Sequence, residues 1–290
     1  MNHAQSFEAQ RGRLTGLAYR MLASRADAED TVQDAFLRWS AAKTRQIIDN
    51  DEAYLVRVVT RLCLDRLKSA RARREVYVGP WLPEPIADPE TLSPQSHAEL
   101  AEDLSFALLL ALDRLTPAER AAFLLHDVFE TPFSEVAATL NKSEAACRQL
   151  AARARKAVAE AAPSSKASAG EHERLLSAFA QAATSGDLAG LKALLAEHVV
   201  TLSDGGGRKA AAINPIVGAD NTARFLLGVA RKFTPSARRL QPTEVNGAPG
   251  LAIYADGELD SIVAIAVENG AIAALYIVRN PCKLAAFQTR

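Results

Sequence analysis

The sequence lacks both a long apolar run and a cysteine pattern. No stretch approaches the roughly 18 apolar residues that a membrane span needs. The first residues, MNHAQSFEAQRGR, have no apolar segment typical of a secretory signal. The cysteines are odd in number and far apart, which fits neither a disulfide framework nor a metal site: Cys63, Cys147 and Cys282. We therefore expect a cytosolic protein without membrane contact, metal or cofactor.

The sequence also has no net charge at pH 7, because its 34 Lys and Arg residues balance its 34 Asp and Glu residues. This balance argues against a nucleic-acid binder, but the charges are unevenly distributed. Residues 61–74 contain six basic residues and one acid, and residues 75–103 contain seven acids and no Lys or Arg. Residues 141–158 are basic again. Two basic segments separated by an acidic spacer favour two contacts with nucleic acid.

The segment Thr131–Val158 predicts two short helices joined by a polar turn. Thr131 is expected to cap the first helix, with Pro132 in its first turn, and Ser143 to cap the second. Core spacing on the second helix predicts a buried side at Cys147, Leu150, Ala151 and Ala154. The side left toward solvent carries Arg148, Gln149, Arg153, Arg155 and Lys156. This is the plan of a helix-turn-helix, whose second helix enters the DNA major groove. A solvated basic helix in an ordinary bundle remains the alternative.

Helical patterns dominate the chain on both sides of a proline-rich linker. Residues 6–75 predict three helices, the second over Asp27–Trp39 and the third over Tyr54–Arg74. Residues 76–98 contain five prolines and cannot form a regular helix. Residues 99–162 predict a second helical domain, in which Thr116-Pro117-Ala118-Glu119 is a capping box.

The pattern changes after a second linker of small residues at 163–170. Two helices are expected first, followed by the glycine-rich turn Asp204–Gly207 and a helix around Asn221–Phe233. Strands are expected near 238–245, 250–255, 259–268 and 271–278. The hairpin-turn signals between them are Asn246-Gly247, Asp256-Gly257 and Asn269-Gly270. This pattern predicts an α+β unit with a curved antiparallel sheet.

Three segments carry a family resemblance: DAEDTVQDAFLRWS (Asp27–Ser40), AYLVRVVTRLCLDRLKSARARRE (Ala53–Glu75) and the helix-turn-helix stretch Leu115–Val158. In this order they resemble the extracytoplasmic-function (ECF) sigma factors of the bacterial sigma-70 family. The C-terminal third resembles the SnoaL-like domain, a cone-shaped α+β barrel, that is fused to the SigJ-like group of these factors.

Three motifs of that group are present. The WLPEP motif is intact at Trp81–Pro85, the glycine turn reads DGGGR at Asp204–Arg208, and a third motif reads NPCKL at Asn280–Leu284. Arg208 keeps the charge of the group's lysine, whereas Cys282 replaces an acid. WLPEP is apolar and stiffened by proline, so we expect it to be held against the C-terminal domain through one of the other two motifs.

The resemblance implies a multidomain fold: two all-α domains, the second a helix-turn-helix, then the SnoaL-like barrel. The implied divisions are sigma region 2 at 1–75, a linker at 76–98, sigma region 4 at 99–162, a linker at 163–170 and a regulatory domain at 171–290. The implied function is that of an alternative sigma factor, not an enzyme. It would bind core RNA polymerase and promoter DNA, be monomeric when free, and need no separate anti-sigma factor.

The resemblance also implies roles for individual residues. The surface facing the polymerase would contain Asp30, Gln33, Asp34 and Leu37. Contacts to the −10 element would come from Arg61, Arg66, Lys68 and Arg71, while the loop Lys43–Glu52 reads an unstacked base. At the −35 element Arg148 and Gln149 would read base edges, and phosphate contacts would come from Ser143, Arg153 and Arg155. Regulation between domains would involve Trp81, Leu82, Pro83, Glu84, Pro85, Asp204, Gly205, Gly206, Gly207, Arg208, Asn280, Pro281, Lys283 and Leu284.

Two other function classes stay open at this stage. A helix-turn-helix repressor with a small-molecule domain would normally carry one DNA module and a dimerisation helix, whereas this sequence has two dissimilar basic modules. An enzyme with a basic helical appendage would need an acid/base set in the barrel, as in related ketosteroid isomerases and polyketide cyclases. The candidate residues are Asp204, His198, Tyr254 and Tyr276, but no recognisable motif positions them, so we expect no catalysis.

Overall fold

A computed structural model describes residues 3–43, 48, 50–74, 77–87, 104–161, 167–232 and 238–288. These residues form two compact units. The first falls within Met1–Glu75, Pro89–Leu104 and Leu108–Ala162, and the second within Val76–Asp88, Ser105–Ala107 and Pro163–Arg290. Residues 44–47 and 49 of the loop Lys43–Glu52, residues 76 and 88–98 of the first predicted linker, and residues 163–166 of the second lie outside the described residues. None of the described helices is long and apolar enough to cross a membrane.

The predicted fold class is confirmed, because helices are followed by an α+β sheet domain. The helices before the second linker are α1 His3–Leu22, α2 Arg25–Lys43, α3 Asp51–Arg74, α4 Phe106–Arg114, α5 Pro117–Phe123, α6 Phe133–Leu140 and α7 Glu144–Ala161. A π-helical turn, Leu124–Val128, follows α5. The predicted capping box is present at the start of α5, where the Thr116 and Glu119 side chains exchange hydrogen bonds with each other's backbone N–H.

The turn between α6 and α7 forms as the sequence predicts. Asn141 adopts a left-handed conformation (φ 53°), and the Lys142 N–H donates to the carbonyl oxygen of Ala137. The Ser143 hydroxyl then accepts the N–H of Ala146 at 3.2 Å, which caps α7. The predicted buried side of α7 is also observed, with Cys147, Leu150, Ala151 and Ala154 all buried.

The expectation that Thr131 caps α6 is wrong. Pro132 occupies the N-cap position and provides no side-chain hydrogen bond, so it also precedes the first turn. Thr131 instead closes the preceding π-helical turn. Its N–H donates to the carbonyl of Leu125 at 2.8 Å, and its carbonyl lies 3.0 Å from Nδ1 of His126. The π turn therefore takes up the residue that would otherwise cap the helix.

The second unit adds two strands that the sequence pattern did not predict, Leu195–Asp204 and Ile216–Val217. Its elements are α8 Ala169–Ser185, α9 Leu188–Leu194, β1 Leu195–Asp204, β2 Ile216–Val217, α10 Ala219–Lys232, β3 Arg238–Val245, β4 Ala248–Ala255, β5 Glu258–Glu268, β6 Ala271–Val278 and α11 Pro281–Gln288. Strand β1 follows α9 without a loop, and its first half lacks clean alternation of buried and exposed residues. Both features removed the usual strand signals.

The sheet is mixed rather than purely antiparallel. Its strand order is β2-β1-β6-β5-β4-β3, with β1 parallel to β6 and all other pairs antiparallel. A parallel pair needs a long crossover, here through α10 and four strands, so no local sequence signal predicts it. The three predicted hairpin turns do form, each with two residues of positive φ: Asn246-Gly247, Asp256-Gly257 and Asn269-Gly270.

The two faces of the sheet have different roles. Ser203, Ile277, Val263 and Leu251 are in register across β1, β6, β5 and β4, and they face the core that the sheet forms with α8, α9 and α10. Since successive side chains of a strand point to opposite faces, Asp204 lies on the other face. Strand alternation thus separates the helix-covered core from the face that carries Asp204.

We predict that Gly206→Ala destabilises the protein by about 1–3 kcal/mol, because a non-glycine residue is strained at positive φ. Gly206 has φ 61°, and an added Cβ would lie 2.3 Å from Nδ2 of Asn280. Urea unfolding would measure the change. Gly170→Ala is the matched control, since Gly170 starts a helix with no atom within 4 Å of an added Cβ. Equal stability of the two variants would contradict this account of the turn.

Candidate nucleic-acid interface and linker clamp

Helix α7 presents the predicted base-reading residues to solvent. Arg148 and Gln149 are both exposed, on the side opposite the buried Cys147 and Leu150. The Arg148 guanidinium lies 2.7 Å from Glu144 and 5.1 Å from the ring centroid of Phe133. These contacts hold the side chain near the N-terminus of the helix, where a recognition helix meets base edges. An exposed ion pair of this kind is weak enough for a DNA base to replace it.

The other two arginines of the interface are anchored to acids of the same unit. Arg153 donates to Glu119 at 2.8 Å, and Arg155 donates to Asp127 at 2.5 Å. The Thr116 hydroxyl and the Arg153 guanidinium together lower the pKa of Glu119, although its partial burial opposes them. The two acids orient the two arginines along α7.

The basic end of α3 places its residues in different surroundings. Lys68 is exposed and pairs with Asp65 at 3.0 Å. Arg66 is only 28% exposed and pairs with Asp34 at 3.0 Å, so two residues with separate predicted roles contact each other. Arg71 lies in α3, but its side chain is outside the described residues.

Arg61 donates hydrogen bonds to the backbone of the helix-turn-helix. Its guanidinium donates to the carbonyl oxygens of Ala138 and Thr139, at 3.2 Å each. These carbonyls belong to the last turn of α6 and have no partner within that helix, which carries partial negative charge at this end. A residue predicted to contact promoter phosphates thus contacts the other DNA-reading element instead.

Two further arginines make the same kind of contact within this unit. Arg120 of α5 is 4% exposed, and it donates to the carbonyl of Met21 at the end of α1 and to Asp113. Burial lowers the pKa of Arg120 to about 10, which leaves it charged at neutral pH. Arg13 of α1 donates to the carbonyl of Phe129 at 3.3 Å. Sequence analysis missed all of the contacts to backbone carbonyls, since those partners lie 77 to 116 residues apart.

The predicted polymerase-facing residues share the outer side of α2, with one exception. Asp30, Gln33 and Leu37 are exposed, and Leu37 is among the most exposed large apolar residues, at 58%. Asp34 is half-buried because of its ion pair with Arg66. The inner side of α2 carries Trp39, which is fully buried.

Asp204 is the centre of a cluster that holds the proline-rich linker. Its carboxylate is fully buried (0% exposed) and accepts four hydrogen bonds. The donors are the Tyr77 hydroxyl at 2.6 Å, the Leu82 N–H at 2.9 Å, the Gly206 N–H at 3.0 Å and the Lys283 ammonium at 2.7 Å. We call these five residues, together with Asn280, the linker clamp.

The motif around Lys283 completes the clamp. The Lys283 ammonium also donates to the carbonyl of Leu82 and lies 4.3 Å from the ring centroid of Trp81, which is half-buried. The Asn280 side chain donates to the Tyr77 hydroxyl at 2.9 Å. Burial and the hydrogen bond donated to Asp204 both raise the pKa of Tyr77, so its hydroxyl stays protonated. The three sequence motifs are therefore brought together.

A second contact holds the other end of the linker. The Ile86 N–H donates to the Asn246 side-chain oxygen, and the Asn246 N–H donates to the Ile86 carbonyl, both at 2.8 Å. Between the two attachment points every linker residue is buried: Leu82, Pro83, Glu84, Pro85 and Ile86. The role of Asn246 was not predicted, because its Asn-Gly signal indicated only a hairpin turn.

The remaining residues of the motifs are peripheral or structural. Gly205 is buried, Gly207 and Arg208 are exposed, Pro281 is exposed and Leu284 is buried. Cys282 is an exposed free thiol, and its N–H donates to the Asn280 side chain. Lys283 is the residue of this segment that contacts Asp204, so the clamp forms with Cys282 in place of the acid.

The candidate catalytic set is not assembled around a common site. Asp204 is engaged in the clamp, and His198 is 72% exposed and pairs with Glu268 at 3.4 Å. Tyr254 lies under the Arg239 guanidinium, and Tyr276 stacks on Phe106 with ring centroids 5.3 Å apart. The described residues also contain no group of three or more His, Cys, Asp or Glu side chains that could hold a metal ion.

Comparison with known proteins agrees with this arrangement. Residues 7–73 match the family model for sigma-70 region 2, and residues 105–158 match that for sigma-70 region 4. The ECF RNA polymerase sigma factor SigJ of Mycobacterium tuberculosis is 40% identical over 96% of this chain and 91% of its own length. The chain belongs to the ECF sigma factors.

One other relative and one solved structure cover nearly the whole chain in the same way. The probable ECF RNA polymerase sigma factor SigI of M. tuberculosis is 33% identical over 96% of this chain and 93% of its own length. The crystal structure of the M. tuberculosis ECF sigma factor SigJ superimposes with a TM-score of 0.78 at 37% identity and covers 98% of both chains. This ECF sigma factor therefore shares its C-terminal unit, as well as its sigma regions, with SigJ.

We predict that each end of the linker can be released separately. Asp204→Ala removes the acceptor of the Leu82 N–H, and Asn246→Gly removes the acceptor of the Ile86 N–H while keeping the positive φ. Asp204→Ala should speed amide exchange of Leu82 about tenfold, and Asn246→Gly should do the same for Ile86, since a lost hydrogen bond costs about 1–1.5 kcal/mol. Hydrogen exchange of the full chain would measure both amides. Equal acceleration at Leu82 and Ile86 in both variants would show that the linker opens as one piece.

Proposed function

We propose that this ECF sigma factor binds core RNA polymerase, reads a two-part promoter through α7 and α3, and is controlled by its own C-terminal unit through the linker clamp. Its place of action would be the cytoplasm. The observation that carries the proposal is the clamp itself. It ties the segment that connects the two DNA-reading regions to the C-terminal sheet through a buried carboxylate.

The base-reading role of α7 rests on Arg148 and Gln149. Arginine pairs with guanine and glutamine with adenine in the major groove, and both side chains are exposed near the start of the helix. Arg153 and Arg155 lie further along the same side, oriented by Glu119 and Asp127. We assign them to phosphates, together with the capping Ser143, because phosphate contacts position a protein without reading sequence.

At the −10 element we assign phosphate contacts to Arg61, Arg66, Lys68 and Arg71. Arg61 must first leave the carbonyls of Ala138 and Thr139, and Arg120 must leave that of Met21. Two promoter elements separated along DNA cannot be reached while region 2 and region 4 are joined in this way. The arrangement is therefore a storage form, and DNA phosphates compete with helix ends for the same guanidinium groups.

The polymerase contact is assigned to the outer side of α2. Leu37 is a large apolar side chain in an acidic surrounding that includes Asp30, and such an exposed residue is typical of a partner surface. Asp34 would join this surface once Arg66 turns toward DNA, because the two are paired in the free chain.

The C-terminal unit would take the role of an anti-sigma factor in the same chain. Fixing Tyr77 and Ile86 restricts how far region 4 can travel from region 2 along the linker. We assign this unit to regulation rather than catalysis, because its candidate acid, Asp204, is saturated with hydrogen bonds. A separate anti-sigma protein is then not required, and the free factor would be a monomer.

The direct test is transcription with purified core polymerase. We expect the full chain to bind core enzyme in a pull-down and to give discrete run-off transcripts from a pool of genomic fragments. DNA binding without core binding would favour the alternative, a helix-turn-helix regulator. Neither binding nor transcript would contradict the proposed function.

We predict different effects for the two DNA-reading elements. Arg148→Ala should weaken binding to the cognate −35 element by about 1–3 kcal/mol and leave other sequences nearly unaffected. Arg71→Ala should weaken all sequences alike and reduce the salt dependence by about one phosphate contact. Titration of promoter fragments by the polymerase holoenzyme at several salt concentrations would measure both.

The control for these variants is Lys156→Ala. Lys156 lies on α7 and is exposed, and its ammonium is 3.9 Å from Glu160, so its loss removes one positive charge without removing a predicted base contact. It should leave sequence discrimination intact. An equal loss of discrimination in Arg148→Ala and Arg71→Ala would overturn the division between reading and positioning.

We predict that weakening the clamp raises transcription. Lys283→Met removes the cation that neutralises Asp204 but keeps the length of the side chain, so linker docking should weaken and run-off transcription rise several-fold. Trimming the chain after Asn280 should act in the same direction, and removal of everything after about residue 165 should change activity greatly. Lys192→Met is the control, because Lys192 forms an exposed pair with Asp220 elsewhere in the unit. Unchanged transcription in Lys283→Met and in both truncated chains would contradict the regulatory role.

A further inference from the structure

The C-terminal unit contains a cavity of about 1110 Å³ between its sheet and two helices. Helices α8 and α10 form one wall, and strands β3 to β6 form the other. The lining is mainly apolar and includes Phe179, Phe225, Leu226, Leu251, Ile253 and Val263. Ligand sites in proteins typically measure 300–1,000 Å³ and combine such a lining with a few polar groups.

Two serine hydroxyls face this cavity without protein partners. Ser203 on β1 and Ser261 on β5 both line it, and each residue is only 3% exposed. Among the described residues, neither hydroxyl has a hydrogen-bond partner. Most buried hydroxyls are hydrogen-bonded, because removing one from water without a partner costs free energy. The two hydroxyls are therefore available to a polar group held inside the cavity.

The charge of the lining is positive. Its charged side chains are Lys232, Arg238, Arg279 and Asp260, so three bases face one acid. Asp260 is itself neutralised, since Arg279 donates to it at 2.9 Å and Lys209 at 3.0 Å. Burial alone would raise the pKa of Asp260, but these two cations outweigh it and lower the pKa. The field at the serine end consequently favours an anion.

We propose that the cavity is an effector site for an amphipathic acid, a molecule with an apolar aromatic or aliphatic body and one anionic head. The body lies against Phe179, Phe225 and Ile253. The head accepts hydrogen bonds from the Ser203 and Ser261 hydroxyls beside the Arg279 guanidinium. A water molecule is a poorer partner for the two serines than such an acid, because most of the remaining lining is apolar and offers the water no further hydrogen bond.

The position of the head group connects this site to the linker clamp. Ser203 precedes Asp204, and Arg279 precedes Asn280, so two of the three head-group residues are adjacent in sequence to a clamp residue. The Arg279 N–H donates to the Asp204 carbonyl at 2.7 Å, which joins the two strand ends directly. A bound acid that shifts either strand end alters the clamp. This coupling rests on the proposed regulatory role of the clamp, whereas ligand binding does not.

The test uses the full chain and the fluorescent probe anilinonaphthalene sulfonate, which has an aromatic body and an anionic head. Gly228 lies in α10 on the cavity wall, and an added Cβ there meets no atom within 4 Å. Gly228 is exposed, so it lies where the cavity meets solvent, and Gly228→Leu should narrow the cavity there and weaken probe binding at least tenfold. Gly170→Leu adds the same side chain at an exposed glycine, where an added Cβ also meets no atom within 4 Å, and should leave binding unchanged.

The head-group assignment is tested with a second probe, N-phenylnaphthylamine, which has the same aromatic body and no sulfonate. The double variant Ser203→Ala, Ser261→Ala should weaken the sulfonate probe about tenfold, as expected for lost hydrogen bonds to a charged group, and leave the amine unchanged. Equal loss of both probes would overturn the assignment. Absence of saturable binding, or binding indifferent to Gly228→Leu, would overturn the site.

Two controls keep these outcomes interpretable. Every variant must retain the wild-type circular dichroism spectrum, because loosened proteins bind the sulfonate probe at exposed apolar surface. Gly228→Met, with a more flexible side chain, replaces Gly228→Leu if the latter fails that check. Binding is measured without polymerase or DNA, so a failure here is distinct from a failure of the transcription experiments.

Discussion

The hydrogen bonds to the buried carboxylate of Asp204 are the interactions that hold the proline-rich linker to the C-terminal sheet. An ionised carboxylate without exposure is costly unless it is paired and fully hydrogen-bonded, and here four donors from three separate chain segments satisfy it. Removing any donor leaves part of that cost uncompensated. The linker, the glycine turn and the start of α11 therefore have one shared reason to stay together.

A different kind of interaction, hydrogen bonds from arginines to backbone carbonyls, holds region 2 and region 4 together. The contacts that Arg13, Arg61 and Arg120 make from one region to the other run to carbonyl oxygens at or near the ends of helical segments, not to carboxylates. Such carbonyls carry only partial charge, whereas a DNA phosphate carries a full one. Under the proposed function, promoter phosphates would replace such carbonyls. Arg120 would be the costliest of the three to withdraw, since it is buried and also bonds Asp113.

The sequence predicted correctly those features that depend on residues close together in the chain. The exposed side of α7, the Ser143 cap and the three Asn-Gly or Asp-Gly turns follow from helix periodicity and from the conformations that these residues prefer. The docking of WLPEP followed from its stiffness and apolar character. By contrast, strand β1 pairs in parallel across the whole unit, and Arg61 meets carbonyls 77 and 78 residues away. Contacts of that length are set by tertiary packing, which leaves no periodic signal in one sequence.

The same limit explains why the candidate site was only partly predictable. The three motifs contain five of the six clamp residues, all except Tyr77, but they did not show that the Asp204 carboxylate is buried and accepts hydrogen bonds from the linker. Strand alternation supplies the missing step. It sends the Ser203 side chain to the cavity and the Asp204 side chain to the linker, and it does so at neighbouring residues of one strand. Under the two proposals, a single strand end carries the small-molecule contact on one face and the regulatory contact on the other. Any force that rotates this strand end acts on both faces together, which would make it a direct physical route from a ligand to the linker.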